Sequence, residues 1–258
     1  MTRQRFYAPP GAFSAAHVTL AADEARHLRD VLRLQLGDEL YVFDGEGKEF
    51  ECVVEEAARD SVLLRVVAEV SPARPESPLH LTLAVALLKG EKFDLVVQKA
   101  TELGVARIVP VITRRADVKL RDEHDAAKRV ARWQRIALEA AKQSGRARVP
   151  VVNGPVTLES LLQNPGVVEV AQPAFNETLR LMFSERDGAA LAAVVRDPYQ
   201  PQSVIALTGS EGGWTDEEIA EARANEWKIA TLGGRILRAE TAAIAVTALL
   251  QHRFGDLL

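Results

Sequence analysis

Two glycine-containing runs near the end of the chain have the residue types of a binding site built largely from backbone. Residues 208–213 read TGSEGG after the apolar run 204–207, and residues 232–241 read LGGRILRAET after 229–231. Each apolar run predicts a buried strand that ends in glycines. Open α/β sheets bind ligands just beyond the carboxyl ends of their strands, where glycines let the backbone approach a ligand closely. We therefore predict one ligand site formed by both runs.

The elements that must position these runs have clear sequence signals. Thr215, with Glu218 three residues later, forms the pattern of a capping box and predicts the start of a helix between the runs. Residues 241–250 read TAAIAVTALL and predict a final helix that is apolar on every side. Such a helix lies either in the centre of a large core or at a subunit interface.

Motifs for several other chemistries are missing from the sequence. No G-x-G-x-x-G follows a strand and no G-x-x-x-x-G-K-[ST] occurs, which argues against a dinucleotide site and a P-loop. The five histidines and the single Cys52 have no metal-ligand spacing, so we predict no metal. No G-x-S-x-G elbow marks a hydrolase nucleophile. The two glycine runs remain the main indication of chemistry.

The chain divides at a segment that contains three prolines. Residues 72–78 read PARPESP and predict a linker, because so many prolines cannot continue a sheet or a helix. Residues 1–71 have short strand-like runs, with the hairpin signal DGEG at 44–47. Residues 79–258 alternate apolar strands with helices, which is typical of a largely parallel sheet. The predicted strands are 40–43, 49–54, 62–67, 80–88, 107–112, 167–171 and 203–208, and the predicted helices are 23–31, 91–103 and about 125–144; residues 172–200 have no clear pattern.

The net charge of −4 hides a strong local asymmetry. Residues 114–148 carry eleven Lys or Arg and five acids, a local excess of +6, whereas 211–226 carry six acids and one Arg, a local −5. Phosphate contacts need a local positive surface rather than a positive total, although a solvated helix face has the same composition. The single cysteine, with no membrane span and no signal peptide in the sequence, favours a cytoplasmic protein.

Five blocks in a fixed order resemble the SPOUT class of RNA methyltransferases, and within it the RsmE family, which methylates N3 of a uridine in 16S ribosomal RNA. The blocks are RHLRDVLRLQLGDEL at 26–40, KGEKFDLVVQKATELGVARIVPV at 89–111, RWQRIALEAAKQSGR at 132–146, LTGSEGGWTDEEI at 207–219 and LGGRILRAETAAIAVTALLQHRFGD at 232–256. One departure is Ser210, where the family usually has proline. We therefore expect a less rigid loop and a somewhat lower cofactor affinity at this point.

The resemblance implies an α/β chain with a PUA-like RNA-binding β-barrel at 1–71 and a SPOUT methyltransferase domain at 79–258 with a trefoil knot. It also implies a homodimer that acts on 16S rRNA within the assembled small ribosomal subunit, and S-adenosylmethionine as cofactor. The predicted cofactor-binding residues are Leu207, Thr208, Gly209, Glu211, Gly212, Leu232, Gly233, Ile236, Leu237 and Thr241. The predicted RNA-binding residues are Arg3, Arg26, Arg29, Arg33, Arg114 and Arg115.

The catalytic prediction follows from the chemistry of uridine. Neutral N3–H is a poor nucleophile, and once the proton leaves, the charge spreads to O2 and O4. A fixed cation beside these oxygens stabilises that charge, and Arg238 is our candidate. The alternative for Arg238 is a structural ion pair with Glu240 or with the acidic 211–226 region. Glu211 or Glu240 would need a raised pKa to serve as the base, and water is the alternative acceptor.

Two other functions remain open from the sequence alone. A non-catalytic RNA-binding ribosome-assembly factor with the same fold is the main alternative, and cofactor binding separates it from an enzyme. An unrelated α/β metabolic enzyme is more distant, and a lack of RNA affinity would favour it.

Overall fold

The structure, a computed structural model, describes residues 3–167, 178–195 and 200–257. Most of the strand that the sequence predicts at 167–171 lies outside these residues, and Val167 itself ends a short 3-10 turn. The chain forms two compact units. One contains the chain up to Glu76 together with Leu138–Val149, and the other contains Ser77–Ala137 together with the chain from Pro150 onward.

The first unit is built on a five-stranded sheet with the strand order β1-β3-β4-β5-β2. Its strands are β1 (Arg5–Tyr7), β2 (His17–Leu20), β3 (Glu39–Phe43), β4 (Glu49–Ala57) and β5 (Val62–Val70). β1 and β3 are parallel and the other pairs are antiparallel, with two register shifts along β4 and β5. Such irregularities bend a strand, so the sheet is able to wrap a core that includes Phe6, Leu28 and Leu64.

The helix predicted at 23–31 is present but irregular. It begins as α1 (Ala22–Arg26) and continues as a π-helical turn over His27–Leu32. Arg33 then ends it with a positive φ of 56°, an uncommon conformation for a residue with a side chain. The predicted hairpin turn is also present: the Asp44 carboxylate accepts hydrogen bonds from the backbone N–H groups of residues 46–48 at 2.7–3.0 Å.

The linker and domain limits differ from the sequence interpretation in two places. Residues 72–76 lie in the first unit, where the Ala73 N–H donates to the buried Glu49 carboxylate at 3.1 Å. Residues 138–149, which the sequence interpretation assigns to the second domain, also lie in the first unit. The Glu76 carboxylate explains this, because it binds the Arg146 guanidinium at 2.7 Å and the Arg148 N–H at 3.0 Å.

The second unit contains an eight-stranded parallel sheet. Its strands are β6 (His80–Ala86), β7 (Arg107–Ile112), β8 (Val151–Val152), β9 (Val156–Thr157), β10 (Thr178–Phe183), β11 (Ala189–Ala190), β12 (Ser203–Thr208) and β13 (Lys228–Thr231). Their order is β11-β13-β10-β12-β6-β7-β8, with β9 also pairing with β7. The helices are α2 (Lys92–Glu102), α3 (Glu123–Ser144), α4 (Leu158–Gln163), α5 (Leu191–Val194), α6 (Asp216–Ala224) and α7 (Ala239–Phe254), and the residues of α3 from Leu138 onward belong to the first unit. No helix of the described residues is long and apolar enough to cross a membrane.

The sequence interpretation did not predict the strand β10, whose position determines how the two glycine runs are arranged. It pairs with β12 on one side and with β13 on the other. The two strands that carry the glycine runs are therefore not neighbours, because β10 lies between them. A third strand end, followed by residues 184–188, thus lies between the two predicted loops.

Candidate active site

A pocket lies at the carboxyl ends of β10, β12 and β13. Phe183, the last residue of β10, is in register with Thr208 and with Ala230, so the three strands end at the same level. The pocket encloses about 550 Å³ of space when its open mouth is included. The predicted site residues that line it are Thr208, Gly209, Leu232, Gly233 and Leu237.

Five predicted cofactor-binding residues lie outside the lining of this pocket. Leu207 is fully buried in the core of the second unit, and Gly212 packs against Arg115. Glu211 is held by Lys92, while Ile236 is 86% exposed and Thr241 is exposed on α7. The structure adds lining residues that the sequence did not predict. They are Phe183, Ser184, Glu185, Ser210, Gly213, Trp214, Thr231, Arg235, Ala239 and Ala242.

Residues 209–214, which we call the held loop, are fixed by Arg115. The Arg115 guanidinium donates hydrogen bonds to the carbonyl oxygens of Gly212 at 3.2 Å and Trp214 at 3.0 Å. In return the Ser210 hydroxyl donates to the Arg115 carbonyl oxygen at 3.2 Å. Ser210 therefore supplies a hydrogen bond that a proline at this position could not make.

Close packing explains the glycines of the held loop. A Cβ on Gly212 would lie 2.8 Å from the Arg115 Cβ, which is too close for two carbon atoms. A Cβ on Gly209 would lie 3.1 Å from the Trp214 ring, whose Nε1–H donates to the Phe183 carbonyl oxygen at 2.8 Å. The capping box at the start of α6 is present as predicted, between Thr215 and Glu218.

Residues 232–238, which we call the open loop, have few contacts. The Gly233 N–H lies 3.5 Å from the Thr231 hydroxyl oxygen, at the limit of a hydrogen bond. Gly233 has a φ of 115°, and a Cβ on it or on Gly234 would meet no atom within 4 Å. Gly233 is therefore required by backbone conformation, whereas Gly209 and Gly212 of the held loop are required by space.

Lys92 at the start of α2 joins two acids that the sequence singled out. Its Nζ lies 2.7 Å from a Glu211 carboxylate oxygen and 3.9 Å from Glu240 Oε2. Burial acts to raise the pKa of Glu211, but the hydrogen bond and charge of Lys92 outweigh it, together with a backbone hydrogen bond, and lower that pKa below its usual value. The raised pKa that a base would need is therefore wrong for Glu211, which is held as a carboxylate.

Arg238 is the N-terminal cap residue of α7 and is exposed. Its carbonyl oxygen accepts the first hydrogen bond of the helix, from the Ala242 N–H at 2.8 Å. Among the described residues its guanidinium has no hydrogen bond and no ion pair, so the alternative of a pair with Glu240 is not formed. Glu240 has Lys92 beside it instead. A cation that pairs with no residue in the described part of the chain thus lies at the end of the open loop.

Comparison with known proteins identifies the family. A family model described as an RNA methyltransferase domain matches residues 75–251, and one described as an RNA methyltransferase PUA domain matches residues 20–67. The ribosomal RNA small subunit methyltransferase E of Synechocystis sp. is 37% identical over 246 residues, which cover 95% of this chain and 76% of the relative. The chain belongs to the ribosomal RNA small subunit methyltransferase E family.

Solved structures agree with this membership. A ribosomal RNA small subunit methyltransferase E from Neisseria gonorrhoeae, bound to S-adenosyl methionine, is 33% identical with a TM-score of 0.83 and full coverage of both chains, 100% each. A methyltransferase from Legionella pneumophila with bound cofactor SAM is 34% identical, also with a TM-score of 0.83 and 100% coverage of both chains. The RsmE resemblance and the predicted fold class are confirmed, and the protein is an RNA methyltransferase. The trefoil knot stays a prediction.

The arginines predicted to bind RNA differ in how much they are already engaged within the protein. In the first unit, Arg3 donates to Glu49 at 3.0 Å and to the Ser71 carbonyl oxygen at 2.9 Å, which is a structural role. Arg29 pairs with Asp30 and also donates to carbonyl oxygens of residues 58 and 59. Arg26 is largely exposed, 3.8 Å from Asp23, and Arg33 is exposed.

The two adjacent arginines of the second unit have separate roles in the structure. Arg114 is exposed, and within the described ranges its guanidinium has a single loose ion pair, with Glu217 at 3.7 Å. Its backbone N–H is anchored to the buried Glu218 carboxylate at 3.0 Å. Arg115 is occupied by the held loop. Arg114 is therefore the better placed of the two for a phosphate.

Proposed function

We propose that the protein transfers a methyl group from S-adenosylmethionine to N3 of a uridine in the 16S rRNA of the small ribosomal subunit. The observation that carries this proposal is the pocket at three parallel strand ends, next to Arg238, whose guanidinium has no partner among the described residues. The relatives support it, since the Synechocystis protein is named a small subunit rRNA methyltransferase and the Neisseria structure contains S-adenosyl methionine. The choice of uridine N3 rests on the resemblance to the RsmE family. A cytoplasmic location follows from a ribosomal substrate.

The pocket fits such a cofactor on its own chemistry. Leu232, Leu237 and Ala239 provide apolar contacts for an adenine ring, and the backbone of the two loops offers N–H and C=O groups to its edge. When bound, the cofactor supplies an electrophilic methyl group. The held loop provides a wall that is already formed, while the open loop provides one that the ligand can order.

Arg238 is the proposed catalytic residue. Its guanidinium, free of internal partners in the described structure, is available to the O2 or O4 oxygen of a uracil ring. A positive charge there stabilises the negative charge that these oxygens gain as the N3 proton leaves. Arginine keeps its charge at any working pH, so this stabilisation needs no proton uptake.

Methyl transfer to small subunits from a strain that lacks the protein tests the proposal. With a labelled methyl group, we expect label in 16S rRNA at a single uridine, with N3-methyluridine as the product after nucleolysis. Subunits from the parent strain are the control, because their target base is already modified. Binding of the cofactor and of subunits without any transfer would favour the non-catalytic assembly factor instead. Label at another base would retain the enzyme and reject the N3 assignment.

We also propose that the protein is a homodimer that covers the outer face of α7. Only one face of this apolar helix is in the core, through Ala243, Val246 and Leu250. The opposite face leaves Leu249 43% exposed and Ala245 partly exposed, although the sequence predicts a helix without a polar side. An apolar face left in water is unfavourable by about 25 cal/mol per Å².

Sedimentation at micromolar concentration tests the dimer. The wild-type chain should sediment as a dimer, and Ala245→Asp should yield monomers because it places a charge in the proposed interface. His252→Asp is a matched control, since it adds the same charge at an exposed polar position of α7. A wild-type monomer would reject the proposal.

A further inference from the structure

Glu185 is a carboxylate that the sequence interpretation does not use and that the structure brings into the pocket. It lies two residues after the end of β10, in the segment 184–188 that is located between the held loop and the open loop. Its side chain extends along the held loop, so that a Cβ on Gly213 would lie 3.1 Å from Glu185 Oε1. Gly213 also has a positive φ of 64°. The held loop thus leaves room for this carboxylate.

The charges around the pocket make Glu185 distinctive. Glu211 and Glu240 are beside Lys92, at 2.7 and 3.9 Å, and neither lines the pocket. Glu185 is the only acid among the described residues that line the pocket, and within the described chain it has no ion pair. The neighbouring Arg186 is directed elsewhere, toward Asp216 at 3.5 Å and the Trp214 carbonyl oxygen at 2.9 Å.

S-Adenosylmethionine has two positive centres, a sulfonium and an α-ammonium, and both are at the end away from adenine. Only the ammonium has N–H groups to donate to a carboxylate, and charge-assisted hydrogen bonds of this kind are the strong ones. We propose that Glu185 binds the α-ammonium group of the cofactor. This inference rests on the proposed function, because it concerns the same pocket.

A series of three ligands measured by calorimetry tests the inference. S-Adenosylmethionine has both cations, S-adenosylhomocysteine keeps only the ammonium, and methylthioadenosine has neither. Glu185→Gln should lower the affinity for the first two ligands by about tenfold, a modest factor because Glu185 is exposed to solvent. It should leave the affinity for methylthioadenosine unchanged. Glutamine has the same shape as glutamate, so the loop and the fold should be retained.

Asp187→Asn is the matched control. It removes the same charge from the same loop, but Asp187 does not line the pocket, and asparagine tolerates the positive φ of 61° found there. This variant should bind all three ligands as the wild type does. An equal loss in both variants would mean that only the overall charge of the loop matters, and would reject a direct contact.

Three other outcomes of the binding measurements would also test the proposed contact. A Glu185→Gln variant that loses affinity for S-adenosylmethionine but not for S-adenosylhomocysteine would move the contact to the sulfonium and reject the ammonium assignment. Unchanged affinity for all three ligands would reject any role in binding. A wild-type protein that binds none of them would reject the proposed function itself, which is a different result from a silent Glu185 variant.

Discussion

The held loop and the open loop have almost the same sequence signature, a buried strand followed by paired glycines, yet they differ in how they are fixed. The held loop is bound by Arg115 through two carbonyl oxygens and by the Ser210 hydroxyl. Within the described residues the open loop has a weak contact at Gly233 and the helix-cap hydrogen bond of the Arg238 carbonyl oxygen, and Ile236 is 86% exposed. One side of the pocket is therefore preorganised, and the other has to be ordered by what it binds.

This difference separates affinity from catalysis in the site. A preorganised wall binds a ligand without a cost in loop ordering, whereas a wall with few internal contacts, next to the Arg238 guanidinium, can adapt to the base that is to be methylated. Variants in the held loop should therefore act mainly on cofactor affinity and stability. Variants at the end of the open loop should act mainly on turnover.

The largest expected effect is that of Arg238→Ala. Removal of a donor that stabilises developing charge typically costs about 3–4 kcal/mol, so the single-turnover rate should fall by ~100- to 1,000-fold. Cofactor and RNA affinities should change little, and Arg238→Lys should restore only part of the rate because an ammonium lacks the planar pair of donors. At higher pH the loss should shrink, since more of the uridine is already deprotonated. Near-normal rates, or loss of cofactor binding, would make Arg238 structural.

The next effect in size is that of Arg115→Ala, compared with Arg114→Ala. Loss of two hydrogen bonds from a charged donor should weaken cofactor binding and lower the free energy of unfolding by about 2 kcal/mol. The neighbouring Arg114→Ala removes only a loose exposed pair, so stability and cofactor affinity should be retained. Its effect should be on RNA affinity, with a flatter dependence on salt. Calorimetry, denaturant unfolding and RNA binding at several salt concentrations measure these quantities.

The opposite result would remove the distinction between the roles of Arg114 and Arg115. If Arg115→Ala flattened the salt dependence while cofactor affinity stayed at the wild-type value, the held loop would not depend on Arg115. The sequence alone treats both residues as equal members of one basic segment.

Strand and helix signals predicted β6, β7, β12 and β13 and the helices α2, α3, α6 and α7, but not β8 to β11, α4 and α5, nor the contacts that join distant parts of the second unit. The capping box at Thr215 and the glycine runs are local patterns, which can be recognised in the sequence. The partners that fix the held loop are not local: Arg115 is 97 residues from Gly212, and Lys92 is 119 residues from Glu211. No spacing rule connects residues that far apart.

The failure to predict the strand β10 has a different physical cause. In β10 the polar Arg180 interrupts a short apolar run, so neither strict alternation nor a continuous apolar segment is present. The order of strands in a parallel sheet also differs from their order in the chain. Glu185 could not be predicted as a pocket residue for this reason, because its place depends on β10 lying between β12 and β13.

A smaller effect separates two glycines of the open loop. Gly233→Ala forces a side chain into a positive φ of 115°, at a cost of about 1 kcal/mol, although the space around it is empty. Gly234→Ala is the matched control, since it has equal space and no such φ. Because the open loop has few contacts, we expect the cost to appear as about fivefold to tenfold weaker cofactor binding, with little change in Tm. Equal affinities for the two variants would show that the open loop rearranges freely.

The smallest expected effect is that of removing the Lys92–Glu211 ion pair, and it should appear in the pH dependence of Tm. The pKa of Glu211 is lowered in the folded protein, so the pair contributes stability above the ordinary carboxyl pKa and loses it as pH falls through the lowered value. The difference in Tm between wild type and Glu211→Gln should therefore be present at neutral pH and vanish in acid. It should be small, because both side chains are about one-third exposed, at 36% and 33%. Asp117→Asn is the control: its carboxylate pairs with Lys89 and has a lowered pKa too, and in the described structure it makes no hydrogen bond or ion pair with the held loop, although its charge acts to raise the pKa of Glu211. Both variants should have the same pH trend in Tm, and only Glu211→Gln should also weaken cofactor binding, because only Glu211 ties the held loop to α2. If the two variants bind the cofactor equally well, Arg115 and Ser210 hold the loop without help from Lys92.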